Sequence, residues 1–175
     1  TFGELGTGKA EFNFPTSLEI YNGHLYVLDT YNHRIQRFII NPNDGNLTFV
    51  DAFGSRGSAD GQFEGPQQMI GFDNYLVVCD TGNDRFQILE INPEDGILSF
   101  RTKLGQKGTG WCMFKFIDAI AVYKNEKTVF LYVSDSNNRY IQLFMIAGEW
   151  REDTQEKEDT QKKEDEGTNF EEIKK

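Results

Sequence analysis

The chain has 175 residues and a formal net charge of −10, which leaves room for about one domain. The acidic excess is shared about equally by the residues before and after Ile146. A body of that sign does not attract phosphate backbones over long range, which disfavours nucleic-acid binding. Two cysteines are too few for a disulfide framework and favour a reducing compartment, and no apolar run reaches the roughly 20 residues of a membrane span.

The first unit of the chain, about residues 1–52, alternates short apolar stretches with turn residues, as all-β proteins do. It predicts strands at residues 17–20, 25–29, 34–40 and 47–51. Residues 41–45 read Asn-Pro-Asn-Asp-Gly, in which Pro presets φ and Gly supplies a positive φ, so a hairpin turn is predicted there.

The same unit recurs after 51 residues and then once more. Its markers are Phe2-Gly3, Phe53-Gly54 and Leu104-Gly105, and likewise Phe12, Phe63 and Phe114, which we interpret as plugs of the glycine-rich links. The second unit predicts strands at 68–72, 76–80, 85–91 and 97–103. The third predicts strands at 117–122, 129–134 and 139–146, the last two about four residues late, with its fourth strand missing or degenerate.

Four antiparallel strands in a repeat of this length are typical of a β-propeller blade. The predicted fold is therefore all-β, with blades at about 1–52, 53–103 and 104–146 forming half of a six-bladed ring. Residues 147–175 are predicted to be a charged, low-complexity tail or linker, in which residues 170–173 could also begin a delayed fourth strand. An open half-ring leaves apolar blade faces uncovered, so more chain, a second copy or another protein is expected to complete it.

The first unit closely resembles the NHL repeat, with Asn32-His33 as the first two letters of that motif and Arg34-Ile35 after them. Residues 66–87 look like a second copy, and residues 131–142 are a third, weaker match. The resemblance implies a six-bladed propeller in most relatives. In that family the ring usually docks protein or RNA, and one member is a metal-dependent lyase.

The most regular motif is the turn Asp–Thr/Ser–x–Asn–x–Arg, which occurs in the first two units and returns in the third with its Arg one place early. Recurrence favours a structural role, since Asp and Asn side chains stabilise tight turns and an Asp–Arg contact adds a charge-assisted hydrogen bond. The alternative is that these loops crown one face of the ring and bind a partner. The candidate binding residues are Tyr31, Asn32, His33, Arg34, Asn83, Asp84, Arg85, Asn138 and Arg139.

Catalytic chemistry finds little support in the sequence. Only two histidines occur, His24 and His33, and a catalytic zinc usually takes three protein ligands, often including His. The glycine-rich links do not match the phosphate-binding P-loop. We therefore predict no catalytic residues, no metal site and no cofactor.

The functional expectation is a non-enzymatic protein-interaction or scaffold module, located in the cytoplasm, with secretion left open. Its expected partner is a protein or a larger assembly, and we expect no binding to membranes. The alternative is an RNA-binding propeller of the translational-repressor or ubiquitin-ligase type, which the acidic charge disfavours. The second alternative is a propeller lyase or hydrolase.

Overall fold

The chain forms three four-stranded antiparallel sheets in the computed structural model, which describes residues 1–126, 128–147 and 169–172. In every sheet the strands lie side by side in chain order, so each sheet is one blade and the predicted propeller architecture is confirmed. Blade 1 contains Pro15–Tyr21, His24–Asp29, Arg34–Ile40 and Leu47–Phe53; blade 2 contains Gln68–Phe72, Tyr75–Asp80, Arg85–Ile91 and Leu98–Leu104; blade 3 contains Ile117–Lys124, Val129–Asp135, Tyr140–Ala147 and Asn169–Glu172.

The blades approach each other most closely along their first strands, which lie side by side although they belong to different sheets. The other strands extend outward from there, as in a propeller, whose first strands surround the axis. One end of each first strand is followed by the turn into the second strand. The opposite end, the head, lies beside the loop that joins the second and third strands, because the sheets are antiparallel.

The fourth strand of blade 3 corrects one prediction. We expected it to be missing or degenerate, with a delayed strand beginning at residues 170–173 as the alternative, and the structure agrees with the alternative. Asn169–Glu172 pairs antiparallel with Tyr140–Ala147, in a register that joins Asn169 to Ala147 and Glu172 to Phe144. The charged segment between the two strands breaks the repeat period and hides this strand in the sequence. Residues 148–168 lie outside the described part of the chain, and a domain boundary at residue 146 stays a prediction.

Glycines that recur every 51 residues explain why a phenylalanine recurs in each link between blades. Gly3, Gly54 and Gly105 have φ of 86°, 93° and 115°, which L side chains rarely adopt. A Cβ there would also lie 2.5 or 2.6 Å from a ring carbon of Phe12, Phe63 or Phe114. Only glycine allows the aromatic ring to lie flat against the backbone, so the ring and the glycine recur together.

The links also contain short pairings that the sequence pattern did not predict. Glu4–Leu5 pairs in parallel with Glu11–Phe12, and Gln106–Lys107 pairs in the same way with Met113–Phe114. A single bridge between Arg56 and Phe63 takes the corresponding place in blade 2.

Two apolar cores lie at the two joints between blades. The first core includes Tyr26, Leu28, Ile35, Phe63, Met69 and Leu76, and the second includes Val77, Phe86, Phe114, Ile117, Leu131 and Phe144. Cys79 belongs to the second core, and burial raises the pKa of its thiol, so the thiol stays protonated at neutral pH. In the described residues, no helix has the length and apolar character that a membrane crossing requires.

Candidate functional site

The recurrent Asp–Asn–Arg turn forms a closed hydrogen-bond network around a buried carboxylate. In blade 1, Asp29 accepts the backbone N–H of Asn13 at 2.7 Å, the guanidinium Nε of Arg34 at 2.8 Å and the amide of Gln36 at 3.1 Å. The amide of Asn32 donates to the same carboxylate and to a link carbonyl. Asp80, Asn83, Arg85 and Gln87 repeat the network in blade 2. The turn therefore ties each link to its blade.

Blade 3 keeps this network with one substitution. Tyr140 stands where the other blades have Arg, and its hydroxyl donates to the carbonyl of Thr109 at 2.8 Å. Arg85 donates to the equivalent carbonyl of Ser58, also at 2.8 Å. Asn138 donates to Asp135 and to the carbonyl of Gly108, as its counterparts do in the other blades.

His33 and Asp84 perform the same task at successive joints. Nδ1 of His33 accepts the backbone N–H of Gly65 at 2.9 Å, and Oδ1 of Asp84 accepts that of Phe116 at 2.8 Å. Either side chain serves because only an acceptor is needed. Among the nine residues predicted to bind a partner, Tyr31 and Arg139 are exposed and the others are partly or fully buried in these contacts. A binding role for the nine stays a prediction.

A different set of residues, not singled out from the sequence, lies at the heads of the first strands. Phe14, Gly65 and Phe116 are 51 residues apart and all have left-handed φ, at 58°, 53° and 67°. Bulky residues rarely adopt this conformation, and strain of this kind concentrates at functional sites. Both phenylalanine side chains are exposed. The repeat period itself was the signal that could have revealed them.

Glycines interrupt this series of exposed aromatic side chains in blade 2. Phe14 stacks on Tyr31 with ring centroids 5.0 Å apart and an interplanar angle of 15°. The equivalent positions in blade 2 are Gly65 and Gly82, so the pair of rings is absent there. We call this set of positions, Gly65 and Gly82 in blade 2 with Phe14 and Tyr31 in blade 1 and Phe116 in blade 3, the notch.

Polar residues stand beside the notch, one in each blade. Thr16, Gln67 and Asp118 are again 51 residues apart. The pairing register slips at Thr16 and at Asp118, and such bulges often redirect a side chain next to a functional site. The Thr16 hydroxyl lies 2.6 Å from that of Thr30. Asp118 is the only carboxylate of the three.

The carboxylate of Asp118 is held in its ionised form. Partial burial acts to raise its pKa, but hydrogen bonds from the hydroxyls of Ser134 and Ser136 and from backbone N–H groups outweigh burial, so the pKa lies below its usual value. The Ser136 hydroxyl donates at 2.7 Å. Asp118 is therefore a fixed negative charge and a hydrogen-bond acceptor at neutral pH.

Histidine and metal chemistry have no comparable site. His24 begins the second strand of blade 1 and His33 follows its other end, so the two rings lie at opposite ends of a six-residue strand. The described residues contain no group of three His, Cys, Asp or Glu side chains placed to hold a metal ion.

Comparison with known proteins places this geometry in context. The model of the NHL repeat matches residues 12–38. A Bacteroides fragilis structure provisionally named a 6-phosphogluconolactonase has a TM-score of 0.63 at 16% identity over 86% of this chain and 43% of that one. The periplasmic gluconolactonase of Pseudomonas aeruginosa has a TM-score of 0.56 at 16% identity over 76% and 35%. A Desulfotomaculum acetoxidans protein of unknown function has 0.55 at 16% over 78% and 40%. No protein with a curated description matches the chain in sequence.

The chain spans less than half the length of these three structures, and identity at this level establishes the fold. The comparison overturns the expectation of a non-enzymatic scaffold. Two of the propellers that the chain resembles are named as lactonases, so the hydrolase, which was the second alternative, is the better supported interpretation. The prediction that the chain is not an enzyme is corrected with it. The argument against an enzyme rested on the small number of histidines, whereas a carboxylate can also serve as a general base.

Proposed function

We propose that the chain, whose residues 12–38 match the NHL repeat, belongs to that family of β-propellers and contributes the substrate-binding and proton-accepting side of a hydrolase that opens lactones. The observation that carries the proposal is the ionised carboxylate of Asp118, which lies at the head of a first strand beside an exposed aromatic residue. The names of two structural neighbours supply the substrate class, a cyclic ester of a sugar acid.

The notch suits a small ring. Phe14 and Tyr31 present a rigid, stacked pair of aromatic faces, and aromatic side chains bind apolar ring faces while hydroxyls bind polar edges. Gly65 leaves space beside them, since a Cβ built on it meets nothing within 4 Å. Thr16 and Gln67 offer a hydroxyl and an amide group at equivalent positions, at the heads of the first strands of blades 1 and 2.

Asp118 acts on water in the proposed reaction. A water molecule held by this carboxylate adds to the lactone carbonyl carbon, and its proton passes to Asp118. The ring C–O bond then breaks, and the ring oxygen takes that proton and leaves as a hydroxyl group. The product is an open hydroxy acid, and Asp118 returns to its ionised form. Ser134 and Ser136 keep the carboxylate oriented throughout.

The first test removes the base. Asp118→Asn keeps the shape of the side chain but cannot accept a proton, so kcat/KM for a sugar lactone should fall by about 10²- to 10⁴-fold. Acid release at constant pH measures the reaction after subtraction of spontaneous hydrolysis. Asp44→Asn, in the hairpin at the opposite end of blade 1, is the matched control and should leave the rate unchanged. Equal rates for both variants would contradict the proposal.

The second test fills the notch. Gly65→Phe places in blade 2 the residue that blades 1 and 3 carry in the same left-handed conformation, so the fold should accept it. The new ring would occupy the substrate space, and KM should rise strongly while the thermal midpoint stays close to that of the parent protein. An unchanged KM would show that substrate binds elsewhere.

A further inference from the structure

Each blade has two apolar faces, and the repeat allows equivalent positions to be compared directly. Leu18, Met69 and Ile120 are 51 residues apart on the face that points to the preceding blade. Met69 and Ile120 are 2% and 3% exposed, because blades 1 and 2 cover them, whereas Leu18 is 62% exposed. Ile20, on the same strand as Leu18, is also exposed. The preceding face of blade 1 is therefore open along its inner strand.

Among the residues that the structure describes, nothing covers the following face of blade 3 either. Tyr26 and Ile35 of blade 1 are fully buried against blade 2, but their counterparts Tyr132 and Ile141 are 40% and 68% exposed. Isolated apolar residues on a surface are ordinary, but two open faces at blade joints are not.

The open face of blade 3 carries the same residues as the buried face of blade 1. Tyr21, Tyr26 and Ile35 line the first joint, and the equivalent residues of blade 3 are Tyr123, Tyr132 and Ile141. Blade 2 has other residues at these positions: Phe72, Val77 and Phe86. At the first joint, a surface of this type on blade 1 packs against blade 2. Blade 3 therefore presents a surface that could pack in the same way against another blade.

The surface that would receive it is open on blade 1. At the first joint, the Tyr26 hydroxyl donates to the carbonyl of Gly96 at 2.7 Å. Gly45 is the counterpart of Gly96 in the hairpin of blade 1, and it is exposed with open space around it. Tyr132 and Gly45 are thus the two halves of a contact that the chain already makes internally.

We propose that a second copy of this chain covers both faces, with blade 3 of each copy packed on blade 1 of the other. If each copy covers half of a six-bladed turn, two such joints return to the start, so the assembly closes as a ring with two-fold symmetry and does not grow into a filament. The chain spans about two-fifths of the propellers it resembles, so two copies supply about as much chain as one of those rings. Closure would also surround the heads of the first strands on all sides.

The joint between copies lacks two hydrogen bonds of the internal joints. Arg139 stands where His33 and Asp84 accept a backbone N–H, and a guanidinium cannot accept. Ala119 stands where Ser17 and Gln68 bond to the next first strand. The dimer should therefore dissociate on dilution, whereas the internal joints persist.

Sedimentation equilibrium of the purified chain across a dilution series tests this inference. We expect the mass of two 20.1 kDa chains at high concentration and of one chain at low concentration. Leu18→Asp and Ile141→Asp should each give a monomer with unchanged far-ultraviolet circular dichroism, because both residues are exposed in the single chain. Ile97→Asp changes an exposed apolar residue at neither open face and should still dimerise.

Mixing the two monomeric variants sharpens the test. One joint of the mixed pair is free of substitutions, so a weakened dimer should reappear on mixing. A parent chain that stays monomeric at every concentration would overturn the inference, as would an open series of larger masses. A dimer that survives Leu18→Asp but not Ile141→Asp would show a symmetric contact between two copies of blade 3 and would also overturn it. These masses do not depend on lactone hydrolysis, so the two proposals can fail separately.

Discussion

The two joints between blades use the same main-chain contacts but different side-chain chemistry. Both have an acceptor side chain on the turn of one blade that binds the N–H at the head of the next, supplied by His33 at the first joint and Asp84 at the second. The first joint adds polar contacts at its outer end, where Arg37 pairs with Asp51 and donates to the carbonyl of Asp95. At the second joint, the position of Arg37 is taken by Ile88, which is fully buried.

This difference shows which parts of the repeat are required. Where a side chain accepts a hydrogen bond from a backbone N–H of the next blade, any side chain with a suitable acceptor can stand. Where a side chain only fills the space between blades, it can be polar or apolar, provided that the facing residues of the next blade have the same character. The repeat therefore fixes how blades are joined, while each joint has its own stability. Substitutions at equivalent positions of the two joints can measure how far they differ.

The largest effect is expected at the aromatic plugs. Phe63→Ala and Phe114→Ala each remove a fully buried ring and leave a cavity, so the free energy of unfolding should fall by about 3–5 kcal/mol in either case. Phe114 packs on Phe86 and Phe144, so its loss should be at the upper end. Urea denaturation measures both, and Phe116→Ala, at an exposed ring, is the control. If the free energy of unfolding fell for only one of the two variants, the aromatic ring would stabilise only one of the two joints between blades.

The buried carboxylates come next. Asp80→Ala removes the partner of Arg85, which is almost fully buried, and should cost about 3–5 kcal/mol because an unpaired charge remains. Asp135→Ala leaves only neutral donors unpaired, since blade 3 has Tyr140 at that place, and should cost less. Thermal unfolding of the two variants gives the order. The reverse order would show that the Arg85 charge is solvated in the variant.

A smaller effect is expected for Tyr26, which belongs to the first joint alone. Tyr26→Phe leaves the carbonyl of Gly96 without its donor and should cost about 1 kcal/mol. Burial, the largest cause, raises the pKa of Tyr26 to about 12 from 10. Because the pKa of Tyr26 is higher in the folded than in the unfolded protein, its neutral hydroxyl stabilises the fold fully below pH 10. That stabilisation is lost as the pH rises toward about 12. The free energy of unfolding, measured by denaturation at pH 9 and at pH 11, should fall less between these two pH values for Tyr26→Phe than for the parent protein.

The smallest effect is expected at the rim of the second joint. Lys124 and Asp73 form an exposed ion pair at 2.6 Å, and pairs of this kind contribute about 0–1 kcal/mol. Lys124→Met should change the unfolding free energy by less than the uncertainty of a denaturation curve, and the difference should vanish at high salt. A large effect would mean that Lys124 also supports the joint by packing.

The strand content of the first two units could be predicted because the repeat writes the same local pattern in each of them. The predicted strands at residues 34–40, 68–72 and 85–91 coincide with the observed ones. The fourth strand of blade 3 was only an alternative at residues 170–173, since pairing between Ala147 and Asn169 depends on contacts across a long charged segment. The candidate site was missed for a related reason: Asp118 looks ordinary until the bulge and the two serines are seen beside it.

The sequence alone determined the period, the four-stranded unit and the glycine–phenylalanine pairs, because these follow from local propensity and from spacing along the chain. Only the tertiary structure decided which faces of the blades are covered and which remain open. It also decided that His33 and Asp84 hold joints, and that exposed aromatic rings stand beside an ionised carboxylate. Burial, strain and pKa arise from neighbours that are far apart in the chain, and spacing along the chain does not fix those neighbours.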